Sequence, residues 1–303
     1  MKKILVLGGN GFIGSNLCRL LASIGYEVYS FDLVKPKHNY IKNVHYLVGD
    51  FFCNDDLSDA IKEKDYIVHA ISTLYPGNSN DCYVRGYEKD FIQTVKLCEM
   101  LVGSKTRLIF LSSGGTVYGQ HSIQPICENV LPQPINHYGN IKLCMENTIR
   151  TFNYQMHIKM LIVRISNPYG VGQDYRKGVG FIDAVLKNTL QQTPITIWGD
   201  GENVRDYIYI DDVCKMIVSL LEYEGEYDTF NISSGIGISQ NEIIRMIRKL
   251  GLKPQVVYKE KRSVDVRRIV LDNSRIMSVY NNSLVPLKDG VTAYYEYLCR
   301  NSL

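Results

Sequence analysis

Short apolar runs alternate with helical apolar patterns along the first half of the chain. The runs predict strands at residues 4–7, 26–31, 43–48, 65–70, 107–111 and 160–164. Between them, apolar positions at helical spacing predict helices from residue 12 onward, at 89–101 and at 136–152. This alternation is typical of an α/β fold, a doubly wound parallel sheet with helices on both faces.

The pattern changes after Ser166, where glycine and proline separate shorter elements. We therefore predict a first domain at residues 1–165 and a smaller lobe at residues 166–303. A helical pattern at 211–221 is apolar on one face. It predicts that part of the segment 204–222 packs back on the first domain.

A glycine turn joins the first predicted strand to the first helix, with Gly8, Gly11 and Gly14 at G-x-x-G-x-x-G spacing. Such a turn presents backbone N–H groups and the positive end of a helix dipole to an anion. Gly8 allows a tight exit from the strand, Gly11 the approach of a pyrophosphate, and Gly14 close packing of the helix on the sheet. The turn predicts a bound dinucleotide, with a tight turn that binds nothing as the alternative.

Two aspartates follow the next predicted strands. Asp32 lies about 20 residues beyond the glycine turn, where a carboxylate accepts hydrogen bonds from the adenosine ribose and repels a 2′-phosphate. NAD is therefore favoured over NADP, although Lys35 lies close by. Asp50 is placed to reach the adenine amine. A solvated loop charge is the alternative interpretation of Asp32.

A tyrosine and a lysine one helical turn apart form the second chemical signal. Tyr138 and Lys142 share one face of the predicted helix, and the ammonium is expected to lower the pKa of the phenol. A phenolate near neutral pH can take a proton from a sugar hydroxyl. The pair follows the fifth strand, at the sheet edge where ligands bind. Ser112, Ser113 and Thr116 follow the fifth strand at the same edge of the sheet, and their hydroxyls could hydrogen-bond a substrate oxygen beside Tyr138.

The bulk composition excludes several function classes. With 45% hydrophobic and 21% charged residues and a net charge of +3, the chain is globular and has no basic stripe for nucleic acid. No run approaches the roughly 20 apolar residues of a membrane helix, and no signal peptide pattern precedes the first strand. The eight cysteines and six histidines lack metal-ligand spacing. We expect a reduced, cytoplasmic protein without a metal site.

These motifs occur together in one family, in the same order along the chain. They are Gly8-x-x-Gly11-x-x-Gly14, Ser112-Ser113-x-x-x-Val117-Tyr118-Gly119, Tyr138-x-x-x-Lys142, Arg164-x-x-Asn167-x-Tyr169-Gly170, and Trp198-Gly199-Asp200-Gly201 with Arg205-Asp206-Tyr207 after it. The chain resembles the extended short-chain dehydrogenase/reductases, in particular the sugar-nucleotide epimerase/dehydratase family. The resemblance implies a Rossmann sheet with a smaller C-terminal lobe for the substrate.

The resemblance also implies a role for each matching residue. Tyr138 would be the acid/base, with Lys142 as its partner and ribose clamp. Residues implied to line NAD are Gly8, Gly11, Phe12, Ile13, Gly14, Asp32, Asp50, Phe51, His69, Ala70, Ser112, Tyr138 and Lys142. Asn167, Arg205 and Arg262 would hold a nucleotide-diphosphate sugar. A homodimer through the helices at 89–101 and 136–152 is expected by analogy.

Several positions depart from the family pattern. The catalytic serine or threonine usually stands four residues before Tyr118, where this chain has Gly114. Thr116, Ser113 or a water would take its role. Asp90 is placed where the family usually has an asparagine. The Asp-Glu pair of the 4,6-dehydratases is replaced by Gly115-Thr116, and the glutamate of the decarboxylases is also absent there.

An NAD-dependent nucleotide-sugar 4-epimerase that acts through a transient 4-keto sugar is our first interpretation. The second is an NAD(P)H-dependent reductase of a nucleotide-linked 4-keto-6-deoxy sugar, which Gly114 makes more credible. A non-catalytic cofactor-binding sensor is the third, and the intact Tyr138 and Lys142 argue against it. The nucleotide base and the sugar are left open.

Overall fold

The computed structural model describes residues 1–36, 40–174, 176, 179–260 and 266–301. Its strands are β1 (Lys3–Leu7), β2 (Glu27–Asp32), β3 (Val44–Val48), β4 (Tyr66–His69), β5 (Arg107–Ser113), β6 (Leu161–Ile165), β7 (Asn167–Tyr169), β8 (Ile195–Trp198), β9 (Val204–Tyr209), β10 (Thr229–Ile232), β11 (Gly237–Ser239), β12 (Val256–Lys259) and β13 (Arg268–Ile269). Its helices are α1 (Phe12–Ser23), α2 (Asn54–Ile61), α3 (Tyr83–Arg85), a π-helical segment (Gly86–Phe91), α4 (Ile92–Met100), α5 (Gly114–Val117), α6 (His137–Met156), α7 (Phe181–Leu190), α8 (Ile210–Ser219), α9 (Gln240–Lys249), α10 (Ser274–Met277) and α11 (Leu287–Asn301).

Seven parallel strands form the central sheet, in the order β10-β6-β5-β4-β1-β2-β3. This confirms the prediction of a doubly wound parallel sheet. The chain runs outward from β1 to β2 and β3, and then returns to the other side of β1 with β4. Open α/β sheets bind their ligands at this switch point, outside the carboxyl ends of the strands. The glycine turn after β1 and the loop after β4 both lie there.

Both faces of the sheet are covered, as the apolar runs predict. Along β1, Ile4 and Val6 enter one core cluster, whereas Leu5 and Leu7 enter the other. Helices α1 and α8 supply the first cluster, and α4 and α6 supply the second. Such two-sided burial is the reason that strands of parallel sheets are apolar at nearly every position.

Later parts of the chain return to the sheet. β10 pairs with β6, and α8 packs on α1. A third core cluster lies among α7, β8, α9 and α11. Beside it β9 pairs with β7, β11 and β13. The boundary at residue 165 stays a prediction. Among the described residues, no helix has the length and apolar character needed to cross a bilayer.

The strands and helices predicted for the first half of the chain are present, but some begin or end at residues other than those predicted. A short helix, α5, covers Gly114–Val117 directly after β5, where no helix is predicted from the sequence. The helix predicted at 89–101 begins earlier and includes the π-helical segment. β5 continues beyond residue 111, because Ser112 and Ser113 pair with β6. Helix α2 (Asn54–Ile61) is not predicted from the apolar pattern.

A buried ion pair joins α6 to β6 beneath the carboxyl end of β5. Arg164 and Glu146 are 1% and 0% exposed, and their Nη2 and Oε2 atoms are 2.6 Å apart. Glu146 also accepts a hydrogen bond from the Ser112 hydroxyl at 2.6 Å. Arg164 donates to the Tyr118 hydroxyl at 2.9 Å, which donates to Asn231 of β10 at 2.7 Å. One network therefore connects α6 with three adjacent strands.

Replacing Arg164 with methionine tests this network. The variant leaves the Glu146 carboxylate buried without its main counter-charge, which costs about 3–5 kcal/mol of the free energy of unfolding. Chemical denaturation measures the loss. The double variant Arg164→Met/Glu146→Met removes both charges and is expected to lose less. A single variant as stable as the parent would contradict the assignment.

Candidate active site

The glycine turn after β1 is a tight backbone cradle. Gly8 has a φ of +83°, in the left-handed region that favours glycine. A Cβ atom at Gly14 would lie 2.2 Å from the Gly8 carbonyl oxygen, so no side chain fits there. α1 begins at Phe12, and its N-cap, Gly11, offers no side-chain cap. The first N–H groups of α1, those of Phe12 and Ile13 included, are therefore available to a phosphate group.

The carboxylate of Asp32 is fixed beside this turn. Its Oδ2 accepts the Asn10 N–H at 3.1 Å, and its Oδ1 accepts the Leu33 N–H at 2.9 Å. Asp50 is exposed after β3, and Phe51 next to it is buried. Both aspartates are thus at the carboxyl ends of neighbouring strands, on the side of the turn where an adenosine would lie.

His69 belongs to the core below the cleft. Its ring lies between Phe51 and Phe110, with centroids 5.0 and 5.4 Å away. Burial, and secondarily the charge of Lys142, lower the pKa of His69 to about 3, so the ring is neutral. The backbone of Ala70, rather than the His69 ring, borders the glycine turn.

Local contacts place α6 against the end of β5. The Asn136 side chain caps the helix by accepting the Gly139 N–H at 2.8 Å. A Cβ atom at Gly139 would lie 2.6 Å from the Thr116 carbonyl oxygen, so glycine is required for this close approach. Lys142 is buried one turn further on, and its Nζ donates to the Leu111 carbonyl at 3.0 Å. Burial lowers the pKa of Lys142 to about 8.

The prediction that the phenol of Tyr138 has a lowered pKa is wrong. Burial raises this pKa to about 12, and the charge of Asp90 adds to the increase. A hydrogen bond with the Ser113 hydroxyl acts in the opposite direction. The ammonium of Lys142 is bonded to the Leu111 carbonyl instead of the phenol. Helical spacing places the two residues on one face of α6, but it does not indicate that burial raises the pKa of the phenol or that the ammonium bonds a backbone carbonyl.

The three candidate hydroxyls have different partners. Ser112 is buried and donates to Glu146. Ser113 bonds Tyr138, as described above. The Oγ1 of Thr116 is buried and has no hydrogen-bond partner among the described residues. Ser113 therefore interacts with the phenol, whereas the hydrogen-bonding capacity of the Thr116 hydroxyl is unused by the described residues.

A core leucine occupies the space beside Gly114. A Cβ atom at this position would lie 2.4 Å from Cδ1 of the buried Leu271. A Cβ atom at Gly115 would have the Ser166 carbonyl oxygen as its nearest neighbour, 3.7 Å away, and the Asn167 side chain next. The hydroxyl that the family carries at position 114 is thus excluded here by packing, while position 115 has room for a side chain.

Asn167 of β7 lies near Gly115, and Arg205 belongs to the adjacent strand β9. β7 pairs with β9, and the Asn167 amide donates to the Asp206 carbonyl at 3.0 Å. Arg205 is half-buried and donates to the Val204 carbonyl at 2.9 Å. Arg262 lies outside the described residues. The glycine turn, α6 and Asn167 therefore lie at the carboxyl edge of the central sheet, whereas a place for Arg205 in the same site stays a prediction.

Comparison with known proteins agrees with this geometry. The model of the NAD-dependent epimerase/dehydratase family matches residues 4–233. A putative UDP-glucose 4-epimerase of Methanocaldococcus jannaschii is 32% identical over 99% of both chains. A dTDP-4-dehydro-6-deoxyglucose reductase of Escherichia coli is also 32% identical, over 95% of both chains. The crystal structure of the UDP-glucose 4-epimerase of Thermotoga maritima with UDP-glucose superposes with a TM-score of 0.93. It shares 28% identity and is matched over 99% of this chain and 100% of that one.

Serine substitutions at the two glycines test the packing around position 114. Gly114→Ser forces the new Cβ atom against Leu271, and overpacking of this kind costs about 1–3 kcal/mol of the free energy of unfolding. Gly115→Ser is the matched control and should stay within about 0.5 kcal/mol of the parent. Thermal and chemical unfolding measure both. Equal stability of the two variants would show that Leu271 does not occupy this space.

Proposed function

The chain belongs to the NAD-dependent epimerase/dehydratase family, and on this premise we propose that it is a nucleotide-sugar 4-epimerase acting through a transient 4-keto sugar. NAD is the cofactor. The observation that carries the proposal is the pairing of Tyr138 with the buried Lys142, whose Nζ lies 5.9 Å from the centroid of the Tyr138 ring and donates to the Leu111 carbonyl of β5. This pair lies at the sheet edge that also holds the glycine turn. Similarity to 4-epimerases over the whole chain supports it.

The residues of the turn fit NAD. A turn in which Gly14 admits no Cβ atom, followed by an uncapped helix start, matches the needs of a pyrophosphate. We propose that Gly8, Gly11, Phe12 and Ile13 hold it, and that Asp32 binds the adenosine ribose. NAD held there would supply a reversible acceptor for the hydride at C4 of the sugar.

Tyr138 is the proposed proton-transfer group. Its phenol oxygen takes the proton of the C4 hydroxyl during oxidation and returns it during reduction. The Ser113 hydroxyl orients the phenol, and Thr116 Oγ1 is available to bond the sugar. Asn167 and Arg205 hold the nucleotide sugar from the other side of the cleft, with Arg262 as a further predicted anchor. Anchoring at the diphosphate lets the sugar turn while its C4 stays near Tyr138.

The reductase is the second candidate, and one observation favours it. Burial raises the pKa of Tyr138, so the protonated phenol is strongly favoured as the resting form. That form can donate at once in a reduction, whereas the oxidation that begins an epimerisation needs the phenolate. Reduction of a 4-keto sugar requires this proton donor. The relative from Escherichia coli is named for such a reduction.

A second copy of the chain is the proposed protein partner. Helices α4 and α6 pack side by side on one face of the sheet. Ile92 on α4 and Tyr154 on α6 are exposed apolar side chains of these helices. Pairing of the two helices with their copies would form a homodimer, which gel filtration with light scattering tests.

Substrate assays without added cofactor distinguish the two candidate activities. With UDP-glucose or UDP-N-acetylglucosamine alone, the purified protein should form the 4-epimer, detected by proton NMR. The control adds NADH and a nucleotide-linked 4-keto-6-deoxy sugar. Stoichiometric oxidation of NADH there, with no epimerisation of either 4-hydroxy substrate, would overturn the first proposal in favour of the second.

The variant Tyr138→Phe tests both enzymatic proposals. It removes the phenol oxygen and should lower kcat by a factor of about 10²–10⁴, while the midpoint of thermal unfolding changes little. Tyr227→Phe, at an exposed position between α8 and β10, is the control and should retain full turnover. Full activity of Tyr138→Phe would exclude the phenol as the proton-transfer group.

A further inference from the structure

Asp90 is a buried carboxylate in the π-helical segment beside α6. It is 3% exposed. Its Oδ2 accepts the Ser72 hydroxyl at 2.9 Å and the Thr73 N–H at 2.7 Å, and its Oδ1 accepts the Thr73 hydroxyl at 2.7 Å. All three donors are neutral. Among the described residues, no cation lies within 4.0 Å of this carboxylate.

Burying a carboxylate without an ion pair costs free energy of folding, so the groups that surround Asp90 matter. The π-helical segment packs directly on α6. Gly86 makes this contact close, since a Cβ atom there would lie 2.5 Å from Cδ1 of Ile141, the neighbour of Lys142. The charge of Asp90 acts on Tyr138 and on Lys142, the two proposed active-site groups of α6.

Glu146, one turn further along α6, is the second negative charge that raises the pKa of Lys142, after Asp90. Unlike Asp90, Glu146 is in direct contact with a cation, Arg164. His69 on the β4 side is neutral, and the contact on the β5 side is the Leu111 carbonyl. Among the described residues, Asp90 is therefore the negative charge near Lys142 that has no cation of its own in contact.

We infer that Asp90 is a positioning residue of the active site, whose buried carboxylate is the counter-charge that keeps Lys142 protonated and Tyr138 a neutral phenol. The inference rests on the proposed function only for the importance of these two groups. The effect of Asp90 on their protonation is a property of the protein without ligands. It is therefore measurable whether the chain is an epimerase or a reductase.

The sign of the effect follows from the charges. A carboxylate favours the ammonium form of Lys142 and disfavours the phenolate form of Tyr138, so it raises the pKa of both. Asp90→Asn removes the charge and keeps the shape. The carbonyl oxygen of the introduced amide can accept from Ser72 and the Thr73 N–H, while its NH₂ group donates to the Thr73 hydroxyl. Both pKa values should then fall.

Titration of the lysine side chains tests this without substrate or cofactor. In protein labelled with ¹³C at lysine Cε, Lys142 should titrate near pH 8, apart from the exposed lysines, and Lys142→Met identifies its signal. In Asp90→Asn the midpoint should fall by about one pH unit or more. An unchanged midpoint would overturn the inference. Asp59→Asn, which removes an exposed charge, is the control and should leave the midpoint unchanged.

Two further variants separate charge from packing. Thr73→Val removes one hydrogen bond but retains the carboxylate, so the midpoint of Lys142 should stay where it is in the parent. A fall as large as that of Asp90→Asn would assign the effect to packing and overturn the inference. If Asp90→Asn does not fold, Asp90→Ser removes the same charge and should lower the midpoint equally.

The pH profile of turnover is the second readout. In the direction that removes a proton from the sugar, Asp90→Asn should reach half-maximal kcat at a lower pH than the parent, because the Tyr138 phenol ionises more readily. KM for the nucleotide sugar should change little. A profile superposing on that of the parent would contradict the role at Tyr138, and absence of turnover in the parent would count against the proposed function alone.

Discussion

The buried ion pair between Glu146 and Arg164 is the constraint on which the candidate site depends. Glu146 lies on the same face of α6 as Lys142 and Tyr138, one and two turns further on. Arg164 fixes that face to β6, and the Ser112 hydroxyl fixes it to β5. An unpaired charge in this position would be strongly destabilising. The position of the helix that carries the site is therefore set by a contact that takes no part in the chemistry.

Patterns among residues close in sequence were sufficient to predict the sheet and about half of the candidate site. The glycine turn depends on residues that are neighbours in sequence, and so does the i, i+4 pair of Tyr138 and Lys142. The exclusion of a side chain at Gly114 could not be predicted in this way. It depends on Leu271, which reaches the site from a distant segment of the chain.

Electrostatics was the part that the sequence pattern predicted wrongly. Spacing places a lysine beside a tyrosine, but it says nothing about how much water each group loses. Desolvation and the charge of Asp90, which lies outside α6, raise the pKa of Tyr138 more than the Ser113 hydroxyl lowers it. The sequence did offer one signal, since Asp90 stands where the family usually has an asparagine. Its effect on Tyr138 could be recognised only once the segment that packs against α6 was known.

The strand order has a consequence for synthesis. β10 pairs with β6, yet it is translated more than sixty residues later. Its Asn231 also completes the hydrogen-bond chain that ends at Arg164. While the ribosome makes the intervening segment, the backbone edge of β6 is an unpaired strand edge, the kind that invites wrong pairing. Pairing of β10 with β6 therefore removes the exposed edge through which a nascent chain could associate with another chain.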